Sequence, residues 1–246
     1  MNAKAPLAAM RALRQLRHIP GPGGTIAVGG ARELVPLLAR ELRAGGEAAA
    51  VTVNRADGHP VALVWIGKAD ETTLRAATRN GIPVVAVTEG DRLPYVLDTN
   101  IVRALPGHGL PVEEVLEALA RVLGDRGPGV AARLPALRPA VVAELSRRAA
   151  RRNALIGAAA FLKGADLPAL TLNQAVLVTR MAVASGRRPE PAEIWPELAG
   201  VLAAGLAARE LSRLLRRLPV AGFVVDGAVA FAGTAALGSL LRRRFR

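Results

Sequence analysis

Thr25-Ile26-Ala27-Val28-Gly29-Gly30-Ala31-Arg32-Glu33-Leu34-Val35-Pro36-Leu37-Leu38 runs from a short apolar stretch, through two glycines, into residues whose apolar positions recur at helical spacing. Strand, glycine turn and helix in that order form the unit from which parallel α/β sheets are built. The helix continues through Glu41 and Leu42 and closes at Gly45-Gly46. Downstream, Ala50-Val51-Thr52-Val53, Val61-Ala62-Leu63-Val64-Trp65-Ile66 and Pro83-Val84-Val85-Ala86-Val87 read as further short buried strands. Residues 71–79 read as a crossover helix and residues 112–123 as a closing helix capped by Gly124. The alternation predicts an α/β domain over residues 24–125, built on a small, mainly parallel, doubly wound sheet.

A glycine turn opening onto a helix is also where backbone N–H groups cradle phosphate. The side chains that phosphate chemistry requires are missing. A P-loop adds a lysine for the outer phosphates and a hydroxyl for magnesium, whereas this turn continues Ala31-Arg32-Glu33. It does not spell the three spaced glycines of a dinucleotide site either. The chain has no cysteine, which removes disulfides, thiol catalysis and cysteine-rich zinc sites. His18, His59 and His108 lie far apart with no paired ligand spacing, so no metal centre is expected. The seven acids of residues 126–246 are scattered, so no paired carboxylates for acid–base work stand out there. No cofactor, no catalytic residue and no small-molecule substrate are therefore expected.

Charge divides the chain. Residues 1–125 hold 14 Lys/Arg against 13 Asp/Glu, and residues 126–246 hold 19 against 7, so nearly all of the net +13 lies in the second half. Such asymmetry fits an anionic partner, a lipid surface or nucleic acid. Aromatics make up only 3% of the chain and none interleaves the basic runs as a stacking platform, which disfavours nucleic acid. Residues 1–23 read as a short basic amphipathic helix, with Leu7, Met10, Leu13 and Leu16 at helical spacing and arginines between them, and contain no apolar stretch of the kind a cleaved secretion signal needs.

Residues 126–140, with Gly127-Pro128-Gly129, Pro135 and Pro139, read as a Pro/Gly linker. Beyond it, residues 141–246 read as an all-α domain. A basic helix over 141–161 carries Arg147, Arg148, Arg151 and Arg152; helices over 170–185 and 194–218 follow, the latter ending among Arg213, Arg216 and Arg217. Residues 220–241 then contain one charged group, Asp226, between those arginines and Arg242, Arg243 and Arg244.

As a helix this last run of about 22 residues reaches ~33 Å, long enough to span a bilayer. Asp226 opposes insertion by up to about 2.5–3.5 kcal/mol, and alanine and glycine return little. Basic residues at both ends suit an interfacial or re-entrant hairpin with residues 194–218 better than a simple span. A soluble bundle with Asp226 paired inside, to Lys163 or Arg180, is the other reading. The arginine brackets favour lipid. Arg213, Arg216, Arg217, Asp226, Arg242, Arg243 and Arg244 are thus the candidate contacts to a membrane or partner. Asp166, Asn173 and Gln174 are candidate polar contacts within the helical domain, as a cap and as interhelical hydrogen bonds.

Two resemblances extend this reading. Over residues 25–124 the layout resembles the small GTPases of the Era-like type. Val64-Trp65-Ile66 leading to Asp70 is similar to that family's strand and following loop. The segment from Gly81 to Asp91 is similar to its strand ending in the guanine-reading motif, with Thr88 and Asp91 in place and Glu89 where the family has lysine. Leu105-Pro106-Gly107-His108-Gly109 and the helix after it look like the family's final loop and helix.

In the second half, Gly164-Ala165-Asp166-Leu167-Pro168, Leu170-Thr171-Leu172-Asn173-Gln174, Pro219-Val220-Ala221-Gly222 and Gly233-Thr234-Ala235-Ala236-Leu237-Gly238 resemble the helical family called domain of unknown function 697, over about residues 145–241. Members of that family often follow Era-like GTPase domains and are often membrane-associated. Together the resemblances imply a pseudo-GTPase scaffold joined to a membrane-associated helical module: a non-enzymatic adaptor on the cytoplasmic side of a membrane, with a protein partner or self-association in addition. The alternatives are a nucleotide-binding switch with an atypical site, or a nucleic-acid-binding protein.

Overall fold

The computed structural model describes residues 22–54, 59–90, 92–160 and 167–187. The chain divides into two compact units. One contains the described residues up to Val141 together with Ala184–Gly186, and the other contains those of Val142–Val183 and Arg187.

The first unit is an α/β fold with a five-stranded, wholly parallel sheet. Its strands are β1 (Ile26–Gly30), β2 (Val51–Val53), β3 (Ala62–Ile66), β4 (Val84–Thr88) and β5 (Ile101–Arg103), in the order β2-β1-β3-β4-β5. Helices α1 (Val35–Arg43), α2 (Glu71–Arg79) and α3 (Val112–Leu123) alternate with them. Pairing is in register from Ile26 with Ala62 through Gly30 with Ile66. The strands read as continuous apolar runs because both faces are covered. Ala27, Leu63, Val84 and Ala86 pack with Leu74 and Ala77 of α2. On the other face α1 lies on β1 and β2, and α3 on β3, β4 and β5. β5 is not anticipated from the sequence: Ile101-Val102-Arg103 ends on a charged residue and lacks the apolar run that marks the equally short β2.

Where a linker was expected, the chain is helical and packed. Helix α4 (Gly127–Arg133) and a 3-10 turn (Pro135–Leu137) lead into α5 (Arg138–Ala160). Val130, Ala131, Leu134 and Leu137 are fully buried, and the turn contacts both α1 and α3. The prolines do not break these elements. Pro128 and Pro135 stand in the first turn, and Pro139 is the second residue of its helix, where a missing N–H leaves no helix bond unmade. Arg133 ties the segment down: Nη1 donates to the Gly24 carbonyl at 2.7 Å and Nε to Glu47 Oε2 at 2.8 Å, while the Glu47 amide donates to the Arg133 carbonyl at 2.9 Å. The division between units falls at residues 141 and 142, inside α5, with no linker on the α/β side of it.

In the second unit, α5 runs on to Ala160 and is followed by α6 (Leu167–Ala184). Val176, Leu177, Val178, Met181, Ala182 and Val183 of α6 are buried. The apolar positions surround α6 rather than forming one stripe, as in helices enclosed by neighbours. The expected helix over 194–218, the apolar run over 220–241 and all but the last two residues of the expected 1–23 helix lie outside the described residues. Among the described residues no helix is long and apolar enough to cross a membrane.

Candidate functional site

In a sheet of this order the strand order reverses between β1 and β3, and ligands of doubly wound folds sit beyond the carboxyl ends of the strands at that point. Here the rim consists of Gly29 to Leu34 after β1 and Gly67 to Asp70 after β3. Three of its backbone donors, those of Ala31, Leu34 and Gly67, are turned back into the fold, as is that of Val35 beside them. The Ala31 amide donates to the Ile66 carbonyl at 2.8 Å and the Gly67 amide to the Val87 carbonyl at 2.7 Å. At the start of α1 the Leu34 and Val35 amides both donate to the Ala31 carbonyl, at 3.1 and 3.0 Å, and Pro36 has no amide to offer. A phosphate cradle needs these groups turned outward.

The glycines answer a packing demand instead. Gly30 has φ +112°, and a Cβ there would fall 2.0 Å from the Ile66 carbonyl oxygen. At Gly29 a Cβ would meet the Trp65 ring at 2.9 Å. The indole therefore lies across the bare backbone of β1, held by its Nε1 donating to the Lys68 carbonyl at 2.8 Å. On its surface the rim displays Leu34, 38% exposed, beside the exposed Arg32, Glu33, Lys68 and Asp70, with Leu37 of α1, 44% exposed, one turn further on.

Two polar residues singled out from the sequence, Asp70 and Thr88, are engaged within the chain. Asp70 caps α2: Oδ1 accepts from the Thr72 amide at 3.1 Å and Oδ2 from the Thr73 hydroxyl at 2.6 Å. The Thr73 hydroxyl bond, helped by the backbone amides of Thr73 and Thr72, holds the Asp70 carboxyl below its ordinary value. Thr88 Oγ1 accepts from the Gly90 amide at 3.1 Å, closing a turn. Glu89 is exposed. Asp91 lies outside the described residues. Among those described, no three His, Asp or Glu side chains group as a metal site, and the His108 ring faces the Pro106 carbonyl.

A shallow cavity of about 430 Å³ lies at the β2 edge, lined by Pro36, Ala39, Arg40, Arg43, Ala44 and Val53. Arg43 Nη2 donates from there to the Val51 carbonyl at 2.7 Å, which covers an acceptor of the edge strand.

In the helical unit the structure places Asn173 on a polar seam. Its Nδ2 donates to Asn153 Oδ1 and, at 3.5 Å, to the Ala149 carbonyl, joining α6 to α5. Asn153 is fully buried, and Gln174 is half-buried. Asn153 was not singled out from the sequence, although an uncharged amide between arginines and an apolar run is the available signal. Ser146 and Thr179 are buried with their hydroxyls donated to the carbonyls of Val142 and Ala175, four residues back. Glu144 is buried between Arg147 and Arg148, at 2.5 and 2.7 Å. Asp166, Arg213, Arg216, Arg217, Asp226, Arg242, Arg243 and Arg244 lie outside the described residues, as does Lys163. Arg180 is described and half-buried.

No protein-family model, no curated protein and no solved structure matches the chain.

Proposed function

We propose that the chain is a non-enzymatic, membrane-associated adaptor or scaffold, in which the basic helical module meets a lipid surface and the pseudo-GTPase-like α/β unit holds a protein partner. The observation that carries this reading is the rim at the β1–β3 switch point. The Ala31, Gly67, Leu34 and Val35 amides are tied to Ile66, Val87 and Ala31, the one aspartate caps a helix, and Leu34 is exposed beside Arg32, Glu33 and Lys68. Such a rim offers a protein a mixed apolar and charged contact, and it lacks the lysine-hydroxyl pair with which a P-loop holds phosphate and magnesium. The lipid side rests on the excess charge of residues 126–246, on the bracketed run at 220–241, and on the resemblance to the membrane-associated helical family.

The test is fractionation of the full chain with successive washes. Pelleting with membranes that survives high salt supports the reading. Release by salt alone reduces it to electrostatic adsorption, and a wholly soluble chain removes it.

A further inference from the structure

Helix α5 displays its arginines as a band. Arg147, Arg148, Arg151 and Arg152 are all exposed, and their spacing places them on consecutive turns of one side. Ala149, Ala150 and Asn153, between and beside them in sequence, are buried. One turn further along the same side stands Leu155, 73% exposed and the most exposed large apolar side chain among the described residues. From Ala154 to Ala160 the helix has no charged residue. Glu144, the one acid of α5, is buried and bonded to Arg147 and Arg148. Arg151 and Arg152 have no carboxylate three or four residues away on either side.

We propose that this face of α5 docks on an anionic lipid surface, with the guanidinium groups on headgroup phosphates and Leu155 below them at the acyl boundary. The inference rests on the membrane reading above and names a surface for it. A basic band passing into an apolar end over about 12 Å of helix is the order that a headgroup layer over hydrocarbon presents. Arginine suits the band, because its planar fork binds phosphate oxygens bidentately and its stem lies along apolar surface. Other occupants fit less well. A second copy would bring like charges together, and α5 has no aromatic side chain on which bases could stack.

The experiment is flotation of the full chain with phosphatidylcholine vesicles, with and without phosphatidylglycerol. It compares wild type, Arg151→Glu/Arg152→Glu, Arg151→Gln/Arg152→Gln, and the charge-matched control Arg40→Glu/Arg79→Glu on the α/β unit. Circular dichroism verifies the helix in each. At about 1 kcal/mol per basic residue near the surface, the glutamate pair is expected to weaken binding to phosphatidylglycerol vesicles roughly tenfold or more, the glutamine pair less, and the control by under about threefold.

Equal losses in the control and the α5 variants, or no loss in the glutamate and glutamine pairs, overturns the proposal while the membrane reading stands. Wild type that floats with neither vesicle overturns both. If the α5 pairs abolish a mobility shift of duplex DNA and leave flotation intact, the face is a nucleic-acid contact and the proposal fails.

Discussion

A side-chain carbon on Gly30 would stand 2.0 Å from the carbonyl oxygen of Ile66, because the turn after β1 crosses directly against the end of β3. The glycine thus serves the close approach of two backbones, and the Ala31 amide completes the contact by donating to that same oxygen. Gly30→Ala is expected to cost about 3 kcal/mol or more, since it combines a backbone clash with a left-handed φ. Urea unfolding of the α/β unit measures it. A loss below about 1 kcal/mol would show that the turn can move away from β3.

With the Ala31 amide engaged in this way and no phosphate lysine or magnesium hydroxyl after Gly29-Gly30, GTP, GDP and ATP are expected to give no heat of binding to the full chain at millimolar concentration. Calorimetric titration decides between the scaffold and the nucleotide-switch readings. A saturable heat with any of the three would restore a nucleotide site.

Asp70 ties its cap to pH. Hydrogen bonds, first among them that from the Thr73 hydroxyl, hold its folded value below the ordinary 3.8. A group depressed on folding stabilises above its unfolded value and loses that contribution as pH falls through the folded one. Asp70→Asn keeps an acceptor but removes the charge at the helix N-terminus. Its Tm is expected to fall below wild type at pH 7, with the difference shrinking as the pH drops below 3.8. Thermal melts across that range provide the check, and a difference independent of pH would contradict it.

Arg133 joins α4 to the first strand region through the Gly24 carbonyl and to Glu47. Its side chain is 18% exposed and that of Glu47 60%, so the two ends of the ion pair should not be equal in effect. Arg133→Met is expected to cost about 1.5–3 kcal/mol, because it leaves a part-buried carbonyl unpaired. Glu47→Gln is expected to cost less than about 1 kcal/mol. Urea midpoints followed by Trp65 fluorescence, in a Trp195→Phe background, separate them.

The Asn153–Asn173 bond predicts non-additivity. Asn153→Leu leaves the Asn173 amide facing an apolar partner and is expected to destabilise the helical unit by about 1–3 kcal/mol. Asn153→Leu/Asn173→Leu is expected to cost less than the sum of the single substitutions, with a coupling of about 0.5–3 kcal/mol. Additive losses would mean that the two amides act independently.

Much of the α/β unit was legible in the chain. The four strands anticipated from apolar runs lie within two residues of their observed ends, and α2 and α3 span the residues expected, because short buried strands and amphipathic helices carry their periods locally. Asn173 as an interhelical hydrogen-bonding residue was legible too, since an amide in an apolar helix needs a partner.

Other features depended on where distant segments meet. Strand order cannot be deduced from local period, and neither can the three-residue β5. Gly127, Pro128 and Pro135 look like a linker one residue at a time; only burial of Leu134 and Leu137 against α1 and α3 makes them part of the core. The sequence by itself determined that the Gly29-Gly30 turn lacks a phosphate lysine and a magnesium hydroxyl. Only the tertiary structure decided what the turn's amides do instead, because the carbonyl that receives the Ala31 N–H belongs to Ile66, on a strand formed thirty-five residues later in the chain.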